Sequence, residues 1–200
     1  MKYRSVLFVI VALSALLCSC GQNSSEAVPA PTVEASEPGI EEDTEPEVTF
    51  DTEAFKKKVR DAVIMIDKDS LALYNAINHD ITYLEISKKV GGSGPDSEKL
   101  ASDSFEWLAK NGGGDKETLD KDYETLKDSY SEILFTDTDD KEIQKIIEDY
   151  DTLYLSYSGI YQLACSPSTD ASSLSSQYNS YYNDMKNPQS ALHAILDIED

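Results

Sequence analysis

The sequence predicts an all-α protein: an antiparallel helical bundle of about four core helices with one or two short ones, behind a disordered tether. Three observations carry this. After residue 50, apolar residues recur at three- and four-residue steps in one segment after another, the period of one helix face. Short breaks rich in Gly, Pro and Asp separate the segments, and antiparallel neighbours need only short loops. No alternating, period-two stretch of useful length occurs, so strands are not needed.

The first helix is expected from Asp51-Thr52-Glu53, which suit an N-terminus, to Lys88-Lys89 ahead of Gly91-Gly92. Its stripe is Phe55, Val59, Ala62, Ile66, Leu73, Ile77 and Leu84, with a gap at Asp69-Ser70 where a bend is expected. A short helix over Pro95–Lys110 stops at Asn111-Gly112-Gly113-Gly114. Asp115 caps the next, whose stripe Leu119, Tyr123, Leu126, Tyr130, Ile133 steps 4-3-4-3. Asp139 with Glu142 reads as a capping box for the fourth. That helix has the clearest stripe, Ile143, Ile147, Tyr150, Tyr154, Tyr157, Tyr161 and Ala164, widened by Ile146, Leu153 and Ile160 and ended by Ser166-Pro167. A fifth carries Leu174, Tyr178, Tyr181 and Met185; Asn187-Pro188 is expected to close it and to start a short terminal helix with Leu192, Ile195 and Leu196.

Residues 21 to about 50 hold four prolines, many Ser and Glu and almost no large apolar residues, so no core forms there. As a flexible coil of ~30 residues this tether spans roughly 30 Å. Ahead of it, Lys2 and Arg4 precede a 12-residue apolar run, Val6–Leu17, and small residues around a cysteine. That order is a secretory signal, and the run is shorter than the ~20 residues of a membrane span.

Leu17-Cys18-Ser19-Cys20-Gly21 resembles the lipobox of bacterial lipoproteins, with Leu three before the modified cysteine, a small residue just before it and Gly just after. Cys18 departs from the pattern but is small; Cys18 as the lipid site would put bulky Leu17 before the cut. The resemblance implies that the signal peptide, residues 1–19, is removed and that Cys20 becomes a diacylglyceryl-cysteine. Residues 20–50 are then a lipidated tether, and the bundle domain, 51–200, is held at the outer, extracytoplasmic face of the bacterial cell membrane. Two acyl chains suffice for stable anchoring. The resemblance stops at Gly21 and implies no fold or activity for the domain.

Of 17 basic and 38 acidic residues, cleavage removes Lys2 and Arg4 and no acid, so the charge of −21 becomes −23. Such a chain is repelled by nucleic acid and anionic head groups. Once Cys20 is lipidated, Cys165 is the only thiol, which leaves no intramolecular disulfide. Lys56, Lys57, Lys58 and Arg60 form a basic cluster expected to balance Glu41, Glu42, Asp43, Glu45 and Glu47 of the tether.

Eleven of twelve tyrosines follow residue 70, and Tyr150, Tyr154, Tyr157 and Tyr161 share one face. Two readings stand: aromatic core with hydroxyls at polar edges, or a ligand groove in which rings stack and hydroxyls bond. Asp137, Asp139, Asp140 and Glu148 mimic a calcium loop, but Lys141 replaces an oxygen ligand and Glu142 the turn glycine, so capping is the expectation. His79 and His193 lack His or Glu partners at four-residue spacing, and no HExxH or GxSxG motif occurs. Cys165 closes a helix, where the dipole disfavours a thiolate. The sequence thus predicts no catalytic set, metal or cofactor. It predicts a helical binding or adaptor module with a protein or small-molecule partner, or alternatively a surface binder of a small molecule or short glycan with a tyrosine-lined groove.

Overall fold

A computed structural model describes residues 50–199; the signal peptide, Cys20 and the tether as far as residue 49 lie outside the described residues. Among them are five helices and no strand: α1 (Thr52–Lys89), α2 (Ser97–Lys110), α3 (Lys116–Leu134), α4 (Lys141–Cys165) and α5 (Ala171–Leu196). α1 packs against all four others, and α4 and α5 share the most extensive helix–helix contact. The stripes form one core in which Val59, Ile66, Leu73, Ile143, Leu153, Leu174 and Leu192 have no solvent exposure.

Each helix begins on an aspartate. Asp51, Asp96, Asp115, Asp140 and Asp170 each accept a hydrogen bond from a backbone N–H two or three residues on. Such a side chain satisfies one of the N–H groups that the first turn leaves unpaired. Phe50 packs on Phe55, ring centroids 5.6 Å apart, across the Asp51 cap. That is a hydrophobic staple, and it fixes the start of the domain.

Three expectations change. The fourth helix is capped by Asp140 instead of Asp139: Asp140 Oδ1 accepts from the N–H groups of Glu142 (2.7 Å) and Ile143 (3.3 Å). Either aspartate has the chemistry, and the choice follows the start of the Ile143 core stripe. The gap at Asp69-Ser70 is not a break, because α1 runs unbroken through it and buries Asp69 completely. α5 likewise continues through Pro188 to Leu196, so there is no separate terminal helix. Proline removes one backbone donor, the partner of the Asp184 carbonyl. Met185, Pro188 and Leu192 are all buried on one stripe, and their packing holds the helix through that loss.

The basic cluster pairs within the domain. Lys56 meets Glu142 and Lys58 meets Glu132, each at 2.5 Å, and Lys57 meets Asp61 at 2.7 Å. Arg60 donates to the Asp197 carbonyl at 2.6 Å, tying the end of α5 to α1. α4 and α5 meet closely at Gly159, where an added Cβ would lie 2.4 Å from the Tyr181 ring.

Candidate functional site

The tyrosines divide into two sets. On α4, Tyr150, Tyr154 and Tyr157 are 1%, 5% and 0% exposed, and Tyr161 is half-buried. They interleave with α3: Tyr161 stacks on Tyr123 (3.9 Å, 7°) and Tyr154 on Tyr130 (4.1 Å, 16°). Tyr150 and Tyr157 tilt against the same α3 rings. The hydroxyls turn to the protein: Tyr157 donates to Asp69 (3.1 Å), Tyr161 to Asp120 (2.6 Å) and Tyr130 to Asp151 (2.6 Å). Tyr123 and Ser158 share a 2.9 Å bond, while the buried Tyr150 hydroxyl has no hydrogen-bond partner. Burial pushes all four α4 phenols upward, and Tyr130 to about 12. These rings form a neutral aromatic seam, not an open row.

The second set lies between α1 and α5, with Tyr74 and Tyr182 at the surface and Tyr178 buried as part of the core. Tyr74 and Tyr178 sit 5.6 Å apart at 41°, and Tyr182 continues 5.7 Å beyond Tyr178 at 13°. With Leu71, Ile160 and Met185 they line a cavity of about 580 Å³, whose polar wall is Asp67, Ser70, Asn179 and Gln189. Tyr74 and Tyr182 are 40% and 39% exposed, Leu71 64%. The Ser70 hydroxyl is buried without a hydrogen-bond partner. Asp67 is clamped from α5: Gln189 Nε2 donates to Oδ1 (2.6 Å), and His193 Nε2 lies 2.7 Å from Oδ2. Asn179 also lines a neighbouring cavity of about 810 Å³ toward the start of α5, with Ser172, Ser175, Ser176 and Thr169 on its wall. The two cavities adjoin at Asn179; Glu85, Lys88 and Asp170 also line the larger, and the groove of the α1–α5 seam is the smaller, tyrosine-walled one.

Its residues follow from the helical repeat. Asp67, Ser70, Leu71 and Tyr74 occupy one face of α1 at three- and four-residue steps, as do Tyr178, Tyr182, Met185 and Gln189 on α5. Sequence reading left the α4 tyrosines open between core and ligand face, and their dense heptad spacing goes with the buried arrangement seen here. Tyr74, Tyr178 and Tyr182 come from segments a hundred residues apart. The available signal was Tyr182, one turn after Tyr178 and off the stripe assigned to the core.

Two acids are perturbed by burial. Asp69 is raised to about 6, with Asp122 adding to the effect and the Tyr157 hydroxyl and Lys68 opposing it. Asp80, fully buried where α2 packs on α1, is raised to about 7, and neither carboxylate oxygen has a hydrogen-bond partner. Its neighbour His79 stacks on Trp107 at 5.2 Å and is lowered by burial. Cys165 ends α4, and burial pushes its thiol up against the influence of Lys116 and Tyr161. Of the calcium-like acids, Asp140 serves as the cap. Among the described residues no three His, Cys, Asp or Glu side chains gather as a metal site, and no helix is long and apolar enough to cross a membrane. No protein-family profile matches the chain, and no curated protein and no solved structure is significantly similar to it.

Proposed function

We propose that this protein is a lipid-anchored, extracytoplasmic binding module, held to the outer face of the membrane through Cys20, that takes its partner in the α1–α5 groove and does no covalent chemistry. The groove carries this reading. A cavity with exposed aromatic walls and a few convergent polar groups has the general make-up of a binding site. The sequence adds support: residues 20–50, rich in Pro, Ser and Glu, are long enough as a flexible segment to let the domain reach away from an anchor at Cys20. The tyrosine-lined alternative, a small molecule or short glycan as ligand, is favoured over a large protein partner by the concavity, and its tyrosines are Tyr74, Tyr178 and Tyr182.

Two measurements test this. Cys20→Ala should release the protein into the medium or leave an uncut precursor, whereas retention of mature Cys20→Ala protein in the membrane would overturn the anchor. A photo-cross-linking residue at Tyr182, in cells, should give a discrete adduct that the same residue at Phe135 does not. Phe135 is 82% exposed and ends α3, away from the groove. Equal, diffuse labelling from both positions would remove the groove from the proposal.

A further inference from the structure

We propose that the α1–α5 groove recognises an organic cation, an alkylammonium group held against Tyr74, Tyr178 and Tyr182 with Asp67 as its counter-ion. This deepens the binding reading above and rests on it. Four observations converge. First, a tyrosine ring face is the negative side of a quadrupole, and rings from two helices set at an angle surround a cation better than one flat ring does. Tyr74 and Tyr178 meet at 41°, and Tyr182 extends the wall.

Second, Asp67 is the one charged residue on the cavity wall. Gln189 and His193 fix its carboxylate, yet each bond uses one lone pair of its oxygen and leaves capacity for a ligand N–H. Third, the chain already places an ammonium on this surface: Lys186 Nζ lies 4.4 Å from the Tyr182 ring centroid. The ring thus accepts an ammonium at this distance, and a ligand cation would take the place of Lys186 there. Fourth, a net charge of −21 makes the surrounding field attractive to positive ligands and repulsive to negative ones. A neutral sugar would use the rings and could donate a hydroxyl to Asp67, but gains nothing from the field.

The ammonium could belong to a small free amine or to a lysine side chain of a peptide, and the probes separate these sources. In the purified full-length chain in detergent, amide and side-chain NMR shifts of Leu71, Tyr74 and Tyr182 are followed with tetramethylammonium chloride, n-butylammonium chloride, a blocked lysine tripeptide and a neutral trisaccharide. Sodium chloride at equal ionic strength is the blank. The ammonium probes should give saturable shifts confined to the groove, and Tyr182→Leu and Asp67→Asn should each weaken them about tenfold. Tyr182 is half-exposed, so its variant keeps the fold, as an unchanged spectrum elsewhere would show. Tighter saturation by the tripeptide than by n-butylammonium assigns a peptide source, and the reverse a free amine. Ammonium shifts that match the sodium chloride blank overturn the cation assignment. If the trisaccharide then saturates the same resonances, the groove remains a binding site and only the ligand class falls. If no probe saturates, the cation assignment falls, and the cross-linking at Tyr182 decides the groove separately.

Discussion

Asp80 makes the stability of this domain depend on pH in a direction opposite to that of most carboxylates. Its side chain is fully buried between α1 and α2, and both oxygens lack a hydrogen-bond partner. The Ser104 hydroxyl beside it donates to the Ala101 carbonyl at 3.1 Å. Burial, and to a lesser degree Asp103, raise the carboxyl from 3.8 to about 7, with Ser104 opposing. The folded state therefore holds its proton longer than the unfolded state. The contribution is fully present below 3.8 and is lost as pH rises through 7. At about 1.4 kcal/mol per pH unit, the loss reaches about 4 kcal/mol by pH 8. Asp69, raised to about 6, acts with the same sign, whereas His79, lowered by burial, stabilises above its ordinary 6.5 and acts with the opposite one. Asp80→Asn removes the ionisable carboxyl at similar size; because His79 Nδ1 lies 3.7 Å from Asp80 Oδ1, the same comparison in a His79→Gln background removes the imidazole's own titration. Urea unfolding at pH 5, 6, 7 and 8 should show the stability of the variant relative to wild type growing by about 3 kcal/mol from pH 5 to pH 8, the rest of the loss falling between pH 3.8 and pH 5. A constant difference across that range would refute the reasoning.

The two tyrosine sets should separate in thermal melts. Tyr154→Ala and Tyr157→Ala each open a cavity in the α3–α4 seam and should cost about 3–5 kcal/mol, whereas Tyr182→Ala, half-exposed in the groove, should stay within about 1 kcal/mol. Losses for the α4 pair as small as those of Tyr182 would mean the seam is not core. Gly159→Ala should destabilise by about 1–3 kcal/mol through its collision with the Tyr181 ring. In a Tyr181→Ala background the same change should instead stabilise by up to about 1 kcal/mol, because alanine favours the helix. An identical effect in both backgrounds would show that the close approach of α4 to α5 does not depend on that pair.

Helix type and extent were legible because local chemistry states them. Aspartate at each start, the Gly112–Gly114 run and Pro167 act within a few residues of themselves, and the apolar stripes report one face of each helix. What was not legible was decided by contacts between distant segments. Pro188 reads as a stop on local rules, yet the buried residues on either side carry α5 through it. Asp69 reads as a gap in a stripe, and its burial depends on a tyrosine 88 positions away. Lys56 and Lys58 read as partners of the nearby acidic tether, and they pair instead with Glu142 of α4 and Glu132 of α3, which lie 86 and 74 positions away in the sequence. The groove is the same case: no single helix contains it, so no periodicity in one segment could reveal it.

The position of the groove can be traced to three consecutive residues of α1. Successive side chains leave a helix about 100° apart, and here each reaches a different neighbour. Asp67 is bound by Gln189 and His193 of α5, Lys68 by Asp122 of α3 at 3.1 Å, and Asp69 by Tyr157 of α4. An apolar stripe slipped by one turn still meets apolar residues. These polar contacts do not tolerate the slip, because a displaced Asp69 would be buried with no donor at all, at a cost of several kcal/mol. The triplet thus favours one rotation of α1 against α3, α4 and α5. That rotation turns Ser70, Leu71 and Tyr74 toward Tyr178 and Tyr182 and leaves Asp67 at the end of the cavity they form. The polar contacts that set the packing of the bundle and the charged wall of the groove share Asp67, so substitutions there should change stability as well as the proposed binding, while those at Tyr182 should change the proposed binding with little effect on stability.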